Sequence, residues 1–157
     1  VRLLGRDKQQ FEATQAVKDG GNVTPSVTVS VSSARAGTSA EWLKDGKVCQ
    51  HEEGIENHWV ADDAGEAWVK LTWDQPQVVR AIKLFDCKGR ADREKFGRIE
   101  FSNGHKIPIR VPLPHSVVEG LDIFWGDKKE VTWMKVVFDR VEPESAPVSL
   151  SEIVVFK

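Results

Sequence analysis

The sequence predicts an all-β domain, a sandwich or barrel of antiparallel sheets, and three observations lead to this prediction. Short segments alternate apolar and polar residues with a period of two, so that one face of each segment is buried and the other is wet. Each segment ends at a turn signal, and no helical apolar period separates successive segments. The chain has 157 residues, of which 40% are apolar, and this suffices for one domain with its own core.

The first strand is predicted over residues 24–33, where valines alternate with Ser and Thr. The capping-box sequence from Thr38 to Glu41 then predicts one short helical turn. Polar residues follow over 47–65 and again over 88–95, and both segments are expected to be loops at which function concentrates. The later strands are predicted at 67–73, 79–85, 97–101, 120–126, 131–138 and 150–156.

Turn residues set the connections between these strands. Residues 74–77, which contain Pro76, predict a tight turn between two strands. Asn103-Gly104 predicts a hairpin, because this pair tolerates the positive φ of a type I′ turn. Pro108 follows the hairpin and confines the next strand to a sheet edge or an irregular path.

The predicted core follows from the alternation within the strands. Of the tryptophans, Trp68, Trp73 and Trp133 lie on alternating strands, so at least two of them are expected in or near the core. The rest of the predicted core is Val69, Leu71, Ile82, Leu84, Ile99, Phe101, Met134, Val136, Phe138, Ile153 and Val155.

Domain organisation is read from composition. Residues 1–22 are polar and Gln-rich, which predicts a linker or the remnant of an upstream segment, and residues 23–157 form the predicted domain. The first residue is Val and not Met, so we expect a piece processed from a longer chain. Cys49 and Cys87 are too few for a disulfide framework, and either a single bridge or two buried thiols fits.

Several classes of function are disfavoured by the sequence. A net charge of −2 gives no electrostatic footprint for nucleic acid, and no apolar run is long enough to cross a membrane. His51 and His58 are seven residues apart, which does not match a zinc-protease helix. The acidic pairs at 52–53 and 62–63 are adjacent in sequence and do not form the separated carboxyls of a glycosidase. We therefore expect no catalytic residues.

Five segments resemble motifs of the discoidin-like family, also called coagulation factor five/eight type C. Residues 67–73 resemble its W-x-x-L-x-W strand, 82–86 its I-x-L-x-D strand and 96–104 the F-G-x-I-x-F-S-x-G stretch of a bacterial subgroup. Residues 150–156 resemble its L-S-E-I-x-V-Y strand, with Phe in place of Tyr, and the strand, helical turn and Trp-bearing loop of residues 24–59 resemble its start. The resemblance covers about 23–157 and implies a jelly-roll β-sandwich of the galactose-binding type.

The resemblance also implies a function and a metal. Many bacterial members are carbohydrate-binding modules appended to glycan-active enzymes, and the family often binds one structural Ca²⁺. Asp45 and Glu152 occupy the matching ligand positions, and carboxylates are suitable ligands for this ion. Lys47 stands where the family frequently has Asp or Asn, and its charge would weaken a cation site. Asp45 alternatively only stabilises its turn.

A sugar-binding surface is therefore expected on the loops at one pole of the sandwich. A pyranose ring offers an apolar C–H face for stacking and hydroxyls that need donors and acceptors. Trp59 and Trp125 are the stacking candidates, although each could instead close the end of the core. The polar candidates, which could instead form a solvated charge cluster, are His58, Arg90, Asp92, Arg93 and Glu94.

The sequence thus predicts a non-catalytic carbohydrate-binding accessory module of a larger extracellular or periplasmic protein. Its expected partners are a glycan and an upstream catalytic domain of the same polypeptide. The alternative is a structural or protein-interaction domain that packs on its parent enzyme. The exposure of Trp59 and Trp125 discriminates between the two, since sugar stacking needs a ring face open to solvent.

Overall fold

Antiparallel strands dominate the computed structural model, which describes residues 23–44, 58–86, 92, 94–114 and 119–157, with only the backbone described for Pro25 and residues 126–129. Two 3₁₀ turns, Thr24–Ser26 and Ala40–Lys44, accompany the strands. The predicted all-β sandwich is confirmed. The strands are β1 (Thr28–Val31), β2 (Trp59–Ala64), β3 (Ala67–Phe85), β4 (Glu94–Phe101), β5 (Lys106–Ile109), β6 (Leu121–Glu142), β7 (Pro147–Leu150) and β8 (Glu152–Phe156).

The long strands β3 and β6 organise the sheets. The main sheet has the order β1-β3-β6-β4-β5, with β8 also paired to β3, and β2 pairs with β7 in a second small sheet. The first half of β3 pairs with β1 and with the second half of β6. The second half of β3 pairs with β8 and with the first half of β6, and the register of the β3–β6 pair shifts between the halves.

Both ends of β3 lie at one end of the molecule, which we call the loop pole. Ala67, at the start of β3, pairs with Phe138, and Phe138 also pairs with Gly97 of β4. Asp86, directly after β3, forms an ion pair with Lys95 of β4. The end of β6 and the start of β4 therefore lie at the loop pole together with Asp86 and Asp92, and Asp92 is one of the predicted sugar ligands.

The turn predicted at residues 74–77 is wrong, because these residues lie inside β3. The β3–β6 register shifts between Thr72 and Gln77, so the turn-forming residues, Pro76 among them, change the pairing without ending the strand. The strands predicted separately at 120–126 and 131–138 are likewise parts of β6. A long strand that changes register gives the same local pattern as two strands joined by a turn.

The loop predicted over residues 47–65 is partly wrong as well. Residues 59–64 form β2, in which Trp59 pairs with Leu150 and Val60 with Ser149 of β7. Three consecutive residues of β2, beginning with Trp59, are buried, and the acidic residues that follow are exposed. This burial pattern does not alternate, so a search for period-two alternation misses the strand.

The short helical turn is confirmed at Ala40–Lys44, but its cap differs from the predicted one. The hydroxyl of Ser39 accepts a hydrogen bond from the amide of Glu41 at 3.2 Å. Thr38, the predicted cap, instead donates its hydroxyl to the carbonyl oxygen of Arg35 at 2.8 Å. The capping residue thus lies one position later than the motif indicates.

The predicted hairpin joins β4 and β5. Gly104 has φ +91°, and the Asn103 side-chain oxygen accepts the amide of His105 at 3.0 Å. Pro108 pairs with Arg98 from β5, the last strand of the main sheet. The edge position predicted from Pro108 is confirmed, because its missing N–H interrupts no ladder on the outer side.

The eleven aliphatic, aromatic and Met positions predicted for the core are all buried in the structure. Trp73 joins them, and its indole N–H donates to the carbonyl oxygen of Val23 at 2.9 Å. The expectation for the other two strand tryptophans is wrong. Trp68 and Trp133 are half-exposed, because their positions alternate with the core positions of β3 and β6.

Some predictions concern residues outside the described ranges, and these stay predictions. They include the segment 1–22, the pairing of Cys49 with Cys87, and the roles of Asp45, Lys47, Arg90 and Arg93. Within the described ranges, no helix has the length and apolar character needed to cross a membrane.

Candidate functional site

A buried ion-pair cluster lies beneath the loop pole. The Lys95 ammonium lies 2.8 Å from Asp86 Oδ1 and 3.1 Å from Asp92 Oδ2, and all three side chains are at most 1% exposed. The Asp92 carboxylate also accepts the backbone amide and the hydroxyl of Ser149, both at 2.7 Å. One ammonium therefore holds the two residues that flank the segment 87–91, which fixes where this segment leaves and rejoins the sandwich.

The charges of this cluster compensate one another. Burial alone would lower the pKa of Lys95, but the nearby carboxylates of Asp86 and Asp92 raise it above the ordinary value of 10.5. Lys95 is therefore charged at neutral pH. Because taking an ion out of water is costly, the pairing is essential to the stability of this part of the fold.

The structure corrects the role predicted for Asp92. This side chain is 1% exposed, and both carboxylate oxygens are occupied by Lys95 and Ser149. A group in this position has no surface to offer a sugar hydroxyl. Asp92 anchors the end of the segment 87–91 instead.

The structure also corrects the predicted stacking role of Trp59. The ring is 0% exposed, and its indole N–H donates to the carbonyl oxygen of Ser33 at 2.8 Å. A sugar ring has no open face of Trp59 on which to stack. His58, the residue before it, is buried too, so it does not fit the predicted role of a sugar ligand. The alternative that Trp59 closes the end of the core is the one that fits.

Trp125 occupies an intermediate position. It is half-buried and packs against the core, with its ring edge-on to Phe101 at 5.1 Å between centroids. Its indole N–H donates to the carbonyl oxygen of Val79 at 2.9 Å. Sugar stacking on its exposed part stays a prediction.

Of the two calcium ligands implied by the resemblance, only Glu152 is described. It is the first residue of β8, pairs with Phe85 and is 5% exposed. A buried carboxylate at a strand end is chemically suited to a hard cation. In the part of the chain that the structure describes, no cluster of three or more His, Cys, Asp or Glu side chains is arranged around a common point.

A polar depression of about 230 Å³ opens at the loop pole beside the end of β6. It is formed by the turn between β2 and β3, by the last residues of β6 and by the turn that follows them. Sequence reasoning did not identify these residues, since they come from separate segments and match no motif. The lining residues are Gly65, Asp139, Arg140, Val141 and Glu144.

Two of the lining residues, Asp139 and Arg140, contact side chains of β4. The Arg140 guanidinium lies 4.4 Å from the centroid of the Phe96 ring, which pairs with it across β4 and β6. The Asp139 carboxylate accepts a hydrogen bond from Arg98 Nη1 at 2.8 Å. Glu94, a predicted sugar ligand, is exposed two residues before Phe96 on β4. Donors and acceptors thus line the depression, and the Phe96 ring contacts one of its lining residues, Arg140.

Arg98 of β4 forms hydrogen bonds with two carboxylates, one of which lines the depression. Its Nε donates to Glu100 Oε2 at 2.7 Å, while its Nη1 reaches Asp139. The hydrogen bond from Arg98 lowers the pKa of Glu100, and the same bond raises the pKa of Arg98. Asp139 is therefore held in place by a guanidinium and presents its carboxylate in a fixed direction.

The fold is similar to that of several solved structures. The lectin domain of lectinolysin, complexed with Lewis B antigen, is 19% identical, with 83% of this chain and 92% of that chain covered and a TM-score of 0.66. The family 32 carbohydrate-binding module of NanJ from Clostridium perfringens, in complex with galactose, is 14% identical, with 87% and 98% covered and a TM-score of 0.66. A pectin-binding carbohydrate-binding module is 18% identical, with 82% and 88% covered and a TM-score of 0.60.

These likenesses confirm the jelly-roll sandwich of the galactose-binding type that the discoidin-like resemblance implied. A search of curated proteins finds no match to this sequence. A family model described as "Domain of unknown function (DUF7402)" matches residues 22–156.

Proposed function

We propose that this chain, which belongs to the family described as Domain of unknown function (DUF7402), is a carbohydrate-binding module without catalytic activity. The observation that carries the proposal is the polar depression at the loop pole, lined by Asp139, Arg140 and Glu144. Among the similar structures, one is a complex with Lewis B antigen, one is a complex with galactose and one is a pectin-binding module, and these support the same class of ligand.

The chemistry of the depression suits a sugar hydroxyl pattern. Arg140 provides several N–H donors in a planar fork, and Asp139 and Glu144 provide acceptors. The Phe96 ring lies against Arg140 and offers an apolar edge for C–H groups. A volume of about 230 Å³ is below the range of pockets for drug-sized ligands, so we expect a terminal sugar unit to enter.

Arg90, Arg93 and Glu94 remain proposed contributors from the neighbouring segment. Asp86 and Asp92, which flank residues 87–91, are bound to Lys95, and Glu94 is the first residue of β4. Rigid attachment at both ends favours a ligand site on this segment, because less conformational freedom is lost on binding.

The wider context belongs to the same proposal. Attached to a glycan-active enzyme outside the cytoplasm, the module would raise the local concentration of that enzyme on its substrate, an effect that needs only modest affinity. The alternative, a structural module that packs on its parent enzyme, is supported by the complete burial of Trp59, which removes one expected stacking ring.

The test of the proposed site is a glycan array followed by Arg140→Ala. We expect the 157-residue chain to bind glycans on the array, and Arg140→Ala to weaken binding by roughly tenfold or more, because a charged hydrogen-bond donor is lost. Arg80→Ala is the matched control, since Arg80 is an exposed arginine in the second half of β3. A blank array, or equal binding by the Arg140→Ala variant, would contradict the proposal and favour the structural module.

A structural Ca²⁺ is a separate proposal, with Asp45 and Glu152 as the carboxylate ligands. We expect the melting temperature to fall when a chelator removes calcium, because an ion that binds only the folded state stabilises it. Glu152→Gln should abolish this difference, and Lys47→Asn should strengthen calcium binding by removing a like charge. Equal melting temperatures with calcium and with chelator would exclude the site, whatever the sugar result.

A further inference from the structure

The outer surface of the main sheet carries two tryptophans and two lysines on adjacent strands. Trp68 and Lys70 lie on β3, and Trp133 and Lys135 lie on β6, all four half-buried and alternating with core positions. We call this surface the Trp–Lys face. Lys70 pairs directly with Lys135, so each tryptophan lies two residues along its strand from the lysine pair, on opposite sides of it.

Each lysine reaches diagonally over the ring on the neighbouring strand. Lys70 Nζ lies 4.7 Å from the Trp133 centroid, and Lys135 Nζ lies 4.5 Å from the Trp68 centroid. The two ammonium groups therefore extend in opposite directions along the strands, and each remains close to one indole ring. Cation–π contacts of this kind stabilise an exposed ammonium only modestly.

The fold compensates this pair of charges only in part. The ion pairs between described residues include none made by Lys70 or Lys135. Glu100 lies opposite Lys135 on β4 and interacts with its charge, but the Glu100 carboxylate already accepts a short hydrogen bond from Arg98. The chain as a whole carries a net charge of −2, so the cationic pair is a local feature of this face.

The geometry fits an extended ligand. Trp133 is four residues along β6 from Val137, the partner of Trp68, so the two tryptophans are offset by about 13 Å along the strands. One sugar ring cannot contact both indoles, whereas a chain of sugars lying along the strands can. Because each ammonium lies over one of the two rings, acidic groups on the sugar units at those two positions would meet the lysines.

We propose that the Trp–Lys face binds an acidic polysaccharide of the uronic acid type. Its carboxylates pair with Lys70 and Lys135, and its sugar rings pack against Trp68 and Trp133. Charge-assisted hydrogen bonds of this kind are stronger than neutral ones. This site is separate from the depression at Arg140 and does not depend on it.

The test compares polygalacturonate with its fully methyl-esterified form, which keeps the sugar backbone and removes the charge. We expect the 157-residue chain to bind polygalacturonate, with affinity falling as salt rises, and to bind the ester roughly tenfold more weakly. The double substitution Lys70→Gln and Lys135→Gln should weaken polygalacturonate binding by roughly tenfold as well. Arg80→Gln, which removes an exposed cation from the same strand, should leave it unchanged.

Four results would overturn the proposal. They are equal binding of polygalacturonate and its ester, binding that does not depend on salt, full binding by the folded double variant, and no binding of polygalacturonate at all. Melting temperatures establish that the variant is folded, and the salt titration of the unsubstituted chain needs no variant. Arg140→Ala should retain polygalacturonate binding while losing the glycans of the array. This difference separates a failure at the Trp–Lys face from a failure at the loop pole.

Discussion

Replacing Lys95 by Met is expected to destabilise the protein by about 3–5 kcal/mol, because the substitution leaves Asp86 and Asp92 buried without a compensating cation. The Lys95 side chain is 0% exposed, so water cannot take over the role of the ammonium. For a domain of this size the melting temperature should fall on the order of 10 °C. Denaturant unfolding monitored by tryptophan fluorescence measures the change in unfolding free energy.

Two further variants show whether uncompensated charge is the cause. Lys106→Met removes an exposed lysine from β5 and should change stability by less than about 0.5 kcal/mol. Asp92→Asn in the Lys95→Met background should restore part of the loss, since the amide oxygen can still accept from Ser149 and carries no charge. If the double variant is no more stable than Lys95→Met, lost packing and not charge is responsible.

The contribution of Lys95 to the unfolding free energy depends on pH in a direction that can be predicted. The pKa of Lys95 is raised, so its contribution to stability is complete below the ordinary lysine pKa of 10.5 and is lost only as the pH rises above that value. Lys95→Met has no ammonium to lose, so the difference in unfolding free energy between the two proteins should be complete below pH 10.5 and should narrow as the pH rises well above that value. A difference that stays constant through this alkaline range would contradict the role of the Lys95 charge.

The parts of the fold that the sequence predicted are those that a local pattern determines. Alternation identifies the buried face in the first half of β3 and at the end of β4, because there one side of the strand contacts the core and the other does not. Gly104 identifies its hairpin because a positive φ selects glycine at that one position. Both predictions depend on local sequence and require no information about which strands pair with each other.

The candidate site depends on neighbours, and this is why the sequence predicted it poorly. Asp92 and Lys95 belong to a polar segment whose composition suggests solvent exposure. Contacts with Asp86, at the end of β3, and with Ser149, far along the chain, nevertheless accompany the burial of both side chains. The residue type of Asp92 suggests a ligand-binding loop residue, whereas its contacts show that it holds the loop in place. Only the tertiary arrangement distinguishes the two.

Strand pairing likewise decides the roles of the tryptophans. Trp59 follows a polar stretch and resembles an exposed loop residue, but pairing of β2 with β7 buries it. Trp68 alternates like a core residue, but the face it occupies is the outer one. A period of two shows that the two faces of a strand differ, and it does not show which of them meets the core when both carry large side chains.

Replacing Gly97 by Ala is expected to cost about 3 kcal/mol or more, because strand β6 leaves no room for a Cβ atom. A Cβ at this position would lie 2.8 Å from the carbonyl carbon of Val137 and 2.9 Å from the Cα of Phe138, and closer still to the Val137 oxygen. All three are backbone atoms of a paired strand, so no side chain can rotate away. The register shift between Phe96 and Gly97 brings the two strands together at this point.

Gly104→Ala is the matched control for the loss of glycine itself. Gly104 has φ +91° and nothing within 4 Å of its added Cβ, so alanine there suffers only backbone strain of about 1–2 kcal/mol. Comparing the unfolding free energies of the two variants distinguishes the steric clash at Gly97 from the backbone strain at Gly104. An equal loss of stability in both variants would refute the clash at Gly97. Gly97 is next to Phe96, whose ring contacts Arg140. The fraction of Gly97→Ala protein that remains folded should therefore bind glycans more weakly than the Gly104→Ala variant does. Stability and binding would then change together through one strand contact.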